Sequence, residues 1–419
     1  MKKATGFILL ILLFAWQFYT AYAVQRFPKP EFDSGYVTPQ TLLPNPRASV
    51  LAIMDVVVLL TSLSVISWMV IKKRWRNGVY WMSIFSLAYF GFYREGCVCA
   101  VGSLQNITLA MFDHSYVVPL SVIAFFILPL AFTLMFGRTF CAGVCPFGAV
   151  QDFVALKPQK LGTRTKTVLG ILPYIYLGLA VLYAATGTDF IICRYDPFVG
   201  FFRFNASFGM FFFGTTLLLS GIFIARPYCR FLCPYGVLLN WISRFSKYHI
   251  TITPSNCVQC KLCEHSCPYD AIDKPLLTSS PEEPKTRLRK FVFLCILIPL
   301  LAFAGGFIGS RLHETLAHVN YKIRLSEKVM AASDKLTSEE SIELDAFKSS
   351  GQTNEQLYAE AREILNKFYW GGWLVGGFVG LVFGFMLAGL LLKKYNADYV
   401  PNKANCLSCT RCVDYCPVK

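Results

Sequence analysis

The sequence predicts an all-α, polytopic membrane protein. Three observations carry that expectation. Of 419 residues, 55% are hydrophobic. Apolar runs recur at roughly the 20-residue length that takes a helix across hydrocarbon. Lys and Arg lie between those runs and not within them. A soluble chain of this length would instead form two or three domains with shorter apolar stretches.

The candidate spans are about 5–23, 49–71, 77–93, 115–136, 167–186, 208–225, 291–309 and 369–392, or about eight transmembrane helices. Cytoplasmic loops retain positive charge. With the N-terminus inside, the inner segments hold 26 Lys and Arg and the outer ones 14, of which 8 sit in the acid-balanced loop 310–368. This bias predicts a multi-pass protein of a bacterial cytoplasmic (inner) membrane with both termini on the cytoplasmic side. It also accounts for the net charge of +15, so the charge requires no nucleic-acid partner. Met1-Lys2-Lys3, an apolar stretch and Ala21-Tyr22-Ala23 also fit a cleavable signal. The reading adopted is an uncleaved first helix.

Five segments follow. Residues 1–76 form a transmembrane hairpin with a short outer loop at 24–48. Residues 77–250 form a duplicated transmembrane core. Residues 251–290 hold a first cysteine run, and 393–419 hold a second. Between them, 291–392 form another hairpin whose outer loop, 310–368, reads as helical. Thr337 to Glu340 and Thr353 to Gln356 have capping-box spacing. Ser349-Ser350-Gly351 breaks that loop into two helices, as a docking surface or as a solvated hairpin.

The sixteen cysteines fall mostly in short-spaced groups, which points to metal ligation and away from a disulfide scaffold. "CVQCKLCEHSCP" supplies Cys257, Cys260, Cys263 and Cys267, and "CLSCTRCVDYCP" supplies Cys406, Cys409, Cys412 and Cys416. Each is C-x2-C-x2-C-x3-C-P, the bacterial ferredoxin run that holds [4Fe–4S] clusters. Structural zinc pairs two Cys-x2-Cys knuckles across a gap, a different pattern. The fourth cysteine of such a run ligates the other cluster. The expected sets are therefore Cys257, Cys260, Cys263 and Cys416, and Cys406, Cys409, Cys412 and Cys267. Two intervening spans return both runs to one side, giving a small split two-cluster ferredoxin-like unit on the cytoplasmic side.

A second pattern is written twice, 88 residues apart: "GRTFCAGVCPFGAVQDF" and "ARPYCRFLCPYGVLLNW". Each copy follows a span and ends with Cys-Pro entering an amphipathic stretch, where proline suits the first helical turn. Parallel repeats pack about a pseudo-twofold axis along the membrane normal. Such packing brings Cys141 and Cys145 to Cys229 and Cys233, each copy supplying half of one further iron–sulfur site beside Arg138, Arg226 and Arg230. The same symmetry brings Cys97 and Cys99 toward Cys193 at the outer ends of spans three and five. That trio holds an outer iron or iron–sulfur centre, or a Cys99–Cys193 disulfide. Cys295 reads as a small core residue.

These motifs resemble those of NosR/NapH-type membrane iron–sulfur proteins, also called polyferredoxin-like, over roughly residues 75–274 and 406–419. The resemblance implies electron transfer between cytoplasmic-side or quinone donors and an extracytoplasmic flavoprotein or cytochrome, with other membrane redox subunits as partners. It also implies cluster ligands at the eight ferredoxin cysteines and redox roles for Cys141, Cys145, Cys229 and Cys233. NosR-type proteins carry an extracytoplasmic flavin-binding domain, for which residues 24–48 are too short. The expectation is an electron-transfer subunit of an oxidoreductase complex, in which substrate conversion at this chain itself is not required. The alternatives are a metal-reducing assembly factor for a copper oxidase and a redox-responsive membrane regulator. No histidine pair suits haem, no Rossmann or P-loop motif occurs, and the spans are expected to lack ionisable residues for a proton relay.

Overall fold

A computed structural model of the chain describes residues 48–96, 99–252, 257–275, 284–331, 347, 351–391 and 398–418. The first expected span, the signal-like Ala21-Tyr22-Ala23, the loop 24–47, the Thr337–Glu340 cap and Cys97 lie outside the described residues.

The protein is built from helices joined by short connections. Four helical stretches are long and apolar enough to cross a membrane: Ser49–Lys73, Thr163–Ala185, Leu288–Arg311 and Asn354–Leu391. Ala100–Phe112, Leu120–Phe136 and Phe208–Ser220 are apolar but shorter. The expected spans at 115–136 and 208–225 thus become helices of 17 and 13 residues. At 1.5 Å per residue these reach about 26 and 20 Å, less than the roughly 30 Å of hydrocarbon.

Helix Ser49–Trp68 widens into a π-helical end at Met69–Lys73, and Arg74 reverses the chain with φ 49°. The chain returns through Arg76–Ser86 and Leu87–Tyr93. The hairpin is locked by a group that the sequence reading did not assign. Asp55, inside the first of these helices, is buried, pairs with Arg94 at 3.0 Å and accepts from Tyr89 Oη at 2.9 Å. The expectation of spans without ionisable groups is corrected here. A carboxylate is tolerated because an arginine and a phenol meet it.

Ala100–Phe112, expected as outer loop, is a helix packed against Leu120–Phe136 and Leu172–Ala185. Its sequence, "AVGSLQNITLAMF", is apolar enough to be drawn into the core, where Ala100, Val101 and Leu104 are buried.

The last two long helices, Pro284–Arg311 and Asn354–Leu391, pack closely along a stripe of glycines. A Cβ at Gly305 would stand 2.3 Å from the Gly376 carbonyl oxygen, and one at Gly372 2.6 Å from that of Gly309. Only hydrogen fits between the backbones, the geometry of small-xxx-small helix pairs in membranes. Leu288, Phe291, Ile296 and Phe303 of the first helix stay exposed, as side chains that face lipid would.

Before its apolar part, Asn354–Leu391 begins with the expected capping box. Gln356 N donates to Thr353 Oγ1 at 3.3 Å, and Thr353 N donates to Gln356 Oε1 at 3.1 Å. Gly351, with φ 73°, makes the break ahead of it. The loop that precedes it folds onto the body of the protein: Tyr183 Oη donates to the Leu316 carbonyl at 3.2 Å, and Lys322 pairs with Glu360 at 2.7 Å.

The glycine-packed hairpin returns the chain to the first cysteine run. Ile272–Asp273 pairs antiparallel with Val400–Pro401, and helix Leu262–Ser266 packs on Arg411–Asp414. The two runs, 139 residues apart at Cys267 and Cys406, thereby form one unit. Lys160 to Glu264 and Lys166 to Asp270 fasten that unit to its surroundings, and Lys274 pairs with Glu264 within it.

Candidate cysteine-lined redox site

The two ferredoxin-type runs share a loop conformation. Gln259 and Lys261 flank Cys260 with φ of 48° and 61°, and Ser408 and Thr410 flank Cys409 with φ of 54° and 61°. Non-glycine residues adopt the left-handed region at a cost of order 1–3 kcal/mol each, so a matched pair in both runs marks a selected geometry.

The loops draw the cysteines together across the runs. Cys257, Cys260 and Cys263 line one cleft with Cys416 of the other run. Cys412 and Cys406 each lie within electrostatic reach of Cys409 and Cys267. Both crossed sets expected from the sequence are thus brought together, with residues 253–256 outside the described residues.

The duplicated motif forms a third group, and its two copies agree in detail. In the first, Cys145 N donates to the Phe140 carbonyl at 3.0 Å. In the second, Cys233 N donates to the Tyr228 carbonyl at 2.8 Å. Each second cysteine caps a helix that begins with proline, Pro146–Val154 or Pro234–Ser243. The glycine after each Cys-Pro-aromatic is needed for close approach. A Cβ at Gly148 would stand 3.3 Å from the Cys141 carbonyl oxygen, and one at Gly236 3.3 Å from that of Cys229.

Cys145 lies within electrostatic reach of Cys141, Cys229 and Cys233, so both halves meet as expected. Gln151 Nε2 of the first copy donates to Cys229 Sγ of the second at 3.3 Å. Gly236 N donates to Cys233 Sγ at 3.3 Å, and Arg138 Nη2 approaches Cys141 Sγ at 3.8 Å. Arg226, fully buried, forms a two-pronged pair with Asp152 at 3.0 and 2.8 Å and also donates to the Cys141 carbonyl. Tyr269, two residues beyond Cys267, donates to the same carboxylate at 2.7 Å. Arg76 Nη1 donates to the Cys409 carbonyl at 3.1 Å, and Ser86, ten residues along that helical stretch, donates to the Val144 carbonyl. The sequence reading did not single out Gln151, Asp152, Tyr269 or Arg76. Gln151 and Asp152 stood inside the quoted motif, but their partners are distant in sequence.

Cys99 and Cys193 line a shared cavity with Asp196. Gly102 makes room for the second thiol, since a Cβ there would stand 3.2 Å from Cys193 Sγ. The position of these two cysteines corrects an expectation. Tyr228, next to Cys229, donates to Asp196 at 3.4 Å, and Cys99 lies within electrostatic reach of Cys145 and Cys233. The pair is adjacent to the duplicated site and is not separated from it by a bilayer's thickness. Helix Ala100–Phe112, which Cys99 caps, packs into the helix bundle beside Ile191–Tyr195.

Burial pushes the Cys229 and Cys406 thiols up to about 12. Binding a metal as thiolates therefore displaces protons. Among the described residues no three His, Cys, Asp or Glu side chains close on a single ion. The donor sets of four sulfurs, two of them beside arginines, fit a multi-iron anion whose corners take one thiolate each.

Comparison with known proteins agrees with this arrangement. A family model for a 4Fe-4S binding domain matches residues 118–164 and again 206–253, one match on each copy of the duplicated motif. A second 4Fe-4S binding domain model matches 250–273, the first ferredoxin-type run. Protein NirI of Paracoccus denitrificans is 31% identical over 36% of this chain and 24% of its own length. YccM of Escherichia coli, a candidate electron transport protein, is 25% identical over 33% of this chain and 43% of its own length. The regulatory protein NosR of Stutzerimonas stutzeri is 26% identical over 48% of this chain and 29% of its own length. The chain thus spans less than half the length of each of these relatives. No solved structure matches it. In motifs, matched domains and relatives the chain is similar to NosR-type, membrane-associated proteins of the ferredoxin type.

Proposed function

We propose that the chain conducts electrons through a membrane along a row of cysteine-held centres. Two [4Fe–4S] clusters sit on Cys257, Cys260, Cys263 and Cys416, and on Cys406, Cys409, Cys412 and Cys267. A third iron–sulfur cluster sits on Cys141, Cys145, Cys229 and Cys233. Cys99 and Cys193, with Cys97, form a further site next in the row. The clusters supply one-electron steps at potentials set by charge, hydrogen bonding and burial.

The observation that carries the reading is the succession of these groups. Helix Arg76–Ser86 touches the Cys409 loop at one end and the Cys141–Cys145 loop at the other. Tyr228 then links the third group to Asp196, beside Cys193. The chain's own residues hold the spacing, exclude water from the buried thiols and place positive charge beside anionic centres. The ferredoxin unit faces the cytoplasm, where a cytoplasmic-side or quinone donor delivers electrons. An extracytoplasmic flavoprotein or cytochrome receives them.

Iron and acid-labile sulfide counts with EPR on anaerobically purified protein test this. About twelve iron per chain fits three four-iron clusters. About eight, unchanged when Cys141, Cys145, Cys229 and Cys233 become serine, removes the third cluster and breaks the row.

A further inference from the structure

Arg138 and Arg226 occupy the same place in the two copies of the duplicated motif, each three residues before the first cysteine. Both are buried, with side chains in the low-dielectric interior. Their surroundings differ. Arg226 has its carboxylate, Asp152, which lies seven residues after the second cysteine of the other copy. The residue at the matching place for Arg138 is Asn240. Asn240 Nδ2 and Arg138 Nη1 both donate to the Ala404 carbonyl, at 2.9 and 3.2 Å, so the amide stands where a counter-carboxylate would stand. Among the described residues no carboxylate pairs with Arg138, and its buried Nε has no hydrogen-bond partner.

A guanidinium does not shed its proton. An unpaired one buried in a protein costs several kcal/mol, which an anion beside it would offset. Two cysteine quartets flank it. Arg138 Nη2 approaches Cys141 Sγ at 3.8 Å, and the carbonyl it holds belongs to Ala404, two residues before Cys406. It also lines a cavity of about 320 Å³ with Cys229 and Cys233.

We propose that Arg138 is a shared counter-cation for the two neighbouring clusters, on Cys141, Cys145, Cys229 and Cys233 and on Cys267, Cys406, Cys409 and Cys412. It is a positioning residue that raises the potentials of both and holds them adjacent. This rests on the cluster reading above. The sequence departs from its own repeat here for an electrostatic reason. Asp at position 240 would neutralise the cation, whereas Asn leaves the whole positive charge to the clusters. A cluster gains negative charge on reduction, so a nearby cation stabilises the reduced state. One cation between two clusters also disfavours no direction of transfer between them. The cluster on Cys257, Cys260, Cys263 and Cys416 has no such contact and serves as internal reference.

The test is an EPR-monitored redox titration of the full chain as wild type, Arg138→Lys, Arg138→Gln and Asn240→Asp. Arg138→Gln and Asn240→Asp are expected to lower the midpoint potentials of both flanking clusters. The reduced fraction at fixed potential falls about tenfold, equivalent to about 59 mV for one electron. Arg138→Lys keeps most of the wild-type potential, and the reference cluster does not move in any variant. If Arg138→Gln fails to assemble, Asn240→Asp decides alone, because it keeps the guanidinium and the side-chain shape and gives up only the amide's donation to the Ala404 carbonyl. Unmoved potentials in Asn240→Asp, or an equal shift in all three clusters, overturns the proposal. Iron-free wild type overturns the cluster reading itself, so the two failures are distinguishable.

Discussion

Phe140 stands edge-on to Tyr235, with ring centroids 6.1 Å apart and planes at 80°. The converse pair, Tyr228 and Phe147, has the same 6.1 Å separation and planes at 82°. In each pair the aromatic before the first cysteine of one copy meets the aromatic after Cys-Pro of the other. Edge-to-face pairs add about 0.5–1.5 kcal/mol beyond their area burial. The aromatic positions of the motif therefore dock the two halves, while its cysteines face the space between them.

This equivalence predicts equal sensitivity at the two motif glycines. Gly148→Ala and Gly236→Ala each place a methyl 3.3 Å from the carbonyl oxygen of the first cysteine in their own copy. Overpacking of this kind costs about 1–3 kcal/mol. Each variant is expected to lower bound iron by up to about four per chain and to leave the ferredoxin-type signals in place. Full iron in both variants, measured by metal analysis, would show that the close approach is not needed.

Crossed ligation makes a sharper statement. Cys416 shares its cleft with Cys257, Cys260 and Cys263, although it belongs to the other run. Cys416→Ser is expected to alter the EPR spectrum of the first-run cluster, and Cys267→Ser that of the second-run cluster. Pairing Cys416→Ser with a substitution at Cys257 should then damage one cluster only. Loss of two clusters in that double variant contradicts the crossing.

Much of this site was legible because its chemistry is local. C-x2-C-x2-C-x3-C-P and the doubled Cys-x3-Cys-Pro carry their ligand types at fixed spacing, so the three quartets followed from the residues. That the two runs would meet was legible too, since two long apolar stretches return the chain to the first run. What the sequence hid depends on distant partners. Asp55 takes its role only from Arg94, and Asp152 only from Arg226 and Tyr269. The position of Cys99 was also misjudged, because hydropathy sorts residues by length of run and cannot show a short apolar helix turning back into the bundle. The glycines at 305, 309, 372, 376 and 380 were visible as spacing, but only helix pairing gives them a shared purpose.

That glycine stripe yields a stability prediction. A Cβ at Gly376 would lie 2.1 Å from the Gly305 carbonyl oxygen, whereas one at Gly389 meets nothing within 4 Å. Gly376→Ala should force the two long helices apart at a cost of about 1–3 kcal/mol. Gly389→Ala should be neutral or slightly stabilising, by up to about 1 kcal/mol from helix propensity. Because this hairpin carries the second cysteine run back to the first, Gly376→Ala should also weaken both crossed clusters. Thermal melting in detergent with parallel iron counts checks both effects. Equal melting temperatures for the two variants would remove the stripe as a determinant of the hairpin.

The last prediction concerns the buried pair behind the duplicated site. Burial alone would raise the pKa of Asp152, but the Arg226 guanidinium beside it, with Arg76 and the Tyr269 hydroxyl, holds its carboxyl well below the usual range. A carboxyl with a depressed folded-state pKa contributes stability that is complete above its unfolded value, about 3.9, and is lost as pH falls through the folded value. The pair therefore stabilises without change from pH 8 to pH 5. Asp152→Asn leaves the fully buried Arg226 unpaired and should cost about 3–5 kcal/mol. It also frees Tyr269, which ties the ferredoxin unit to the duplicated core. The melting temperature should drop by a similar amount at pH 8, 6.5 and 5. A deficit that shrinks over that interval would show that Asp152 is already protonated there, and that its partner is not holding it ionised.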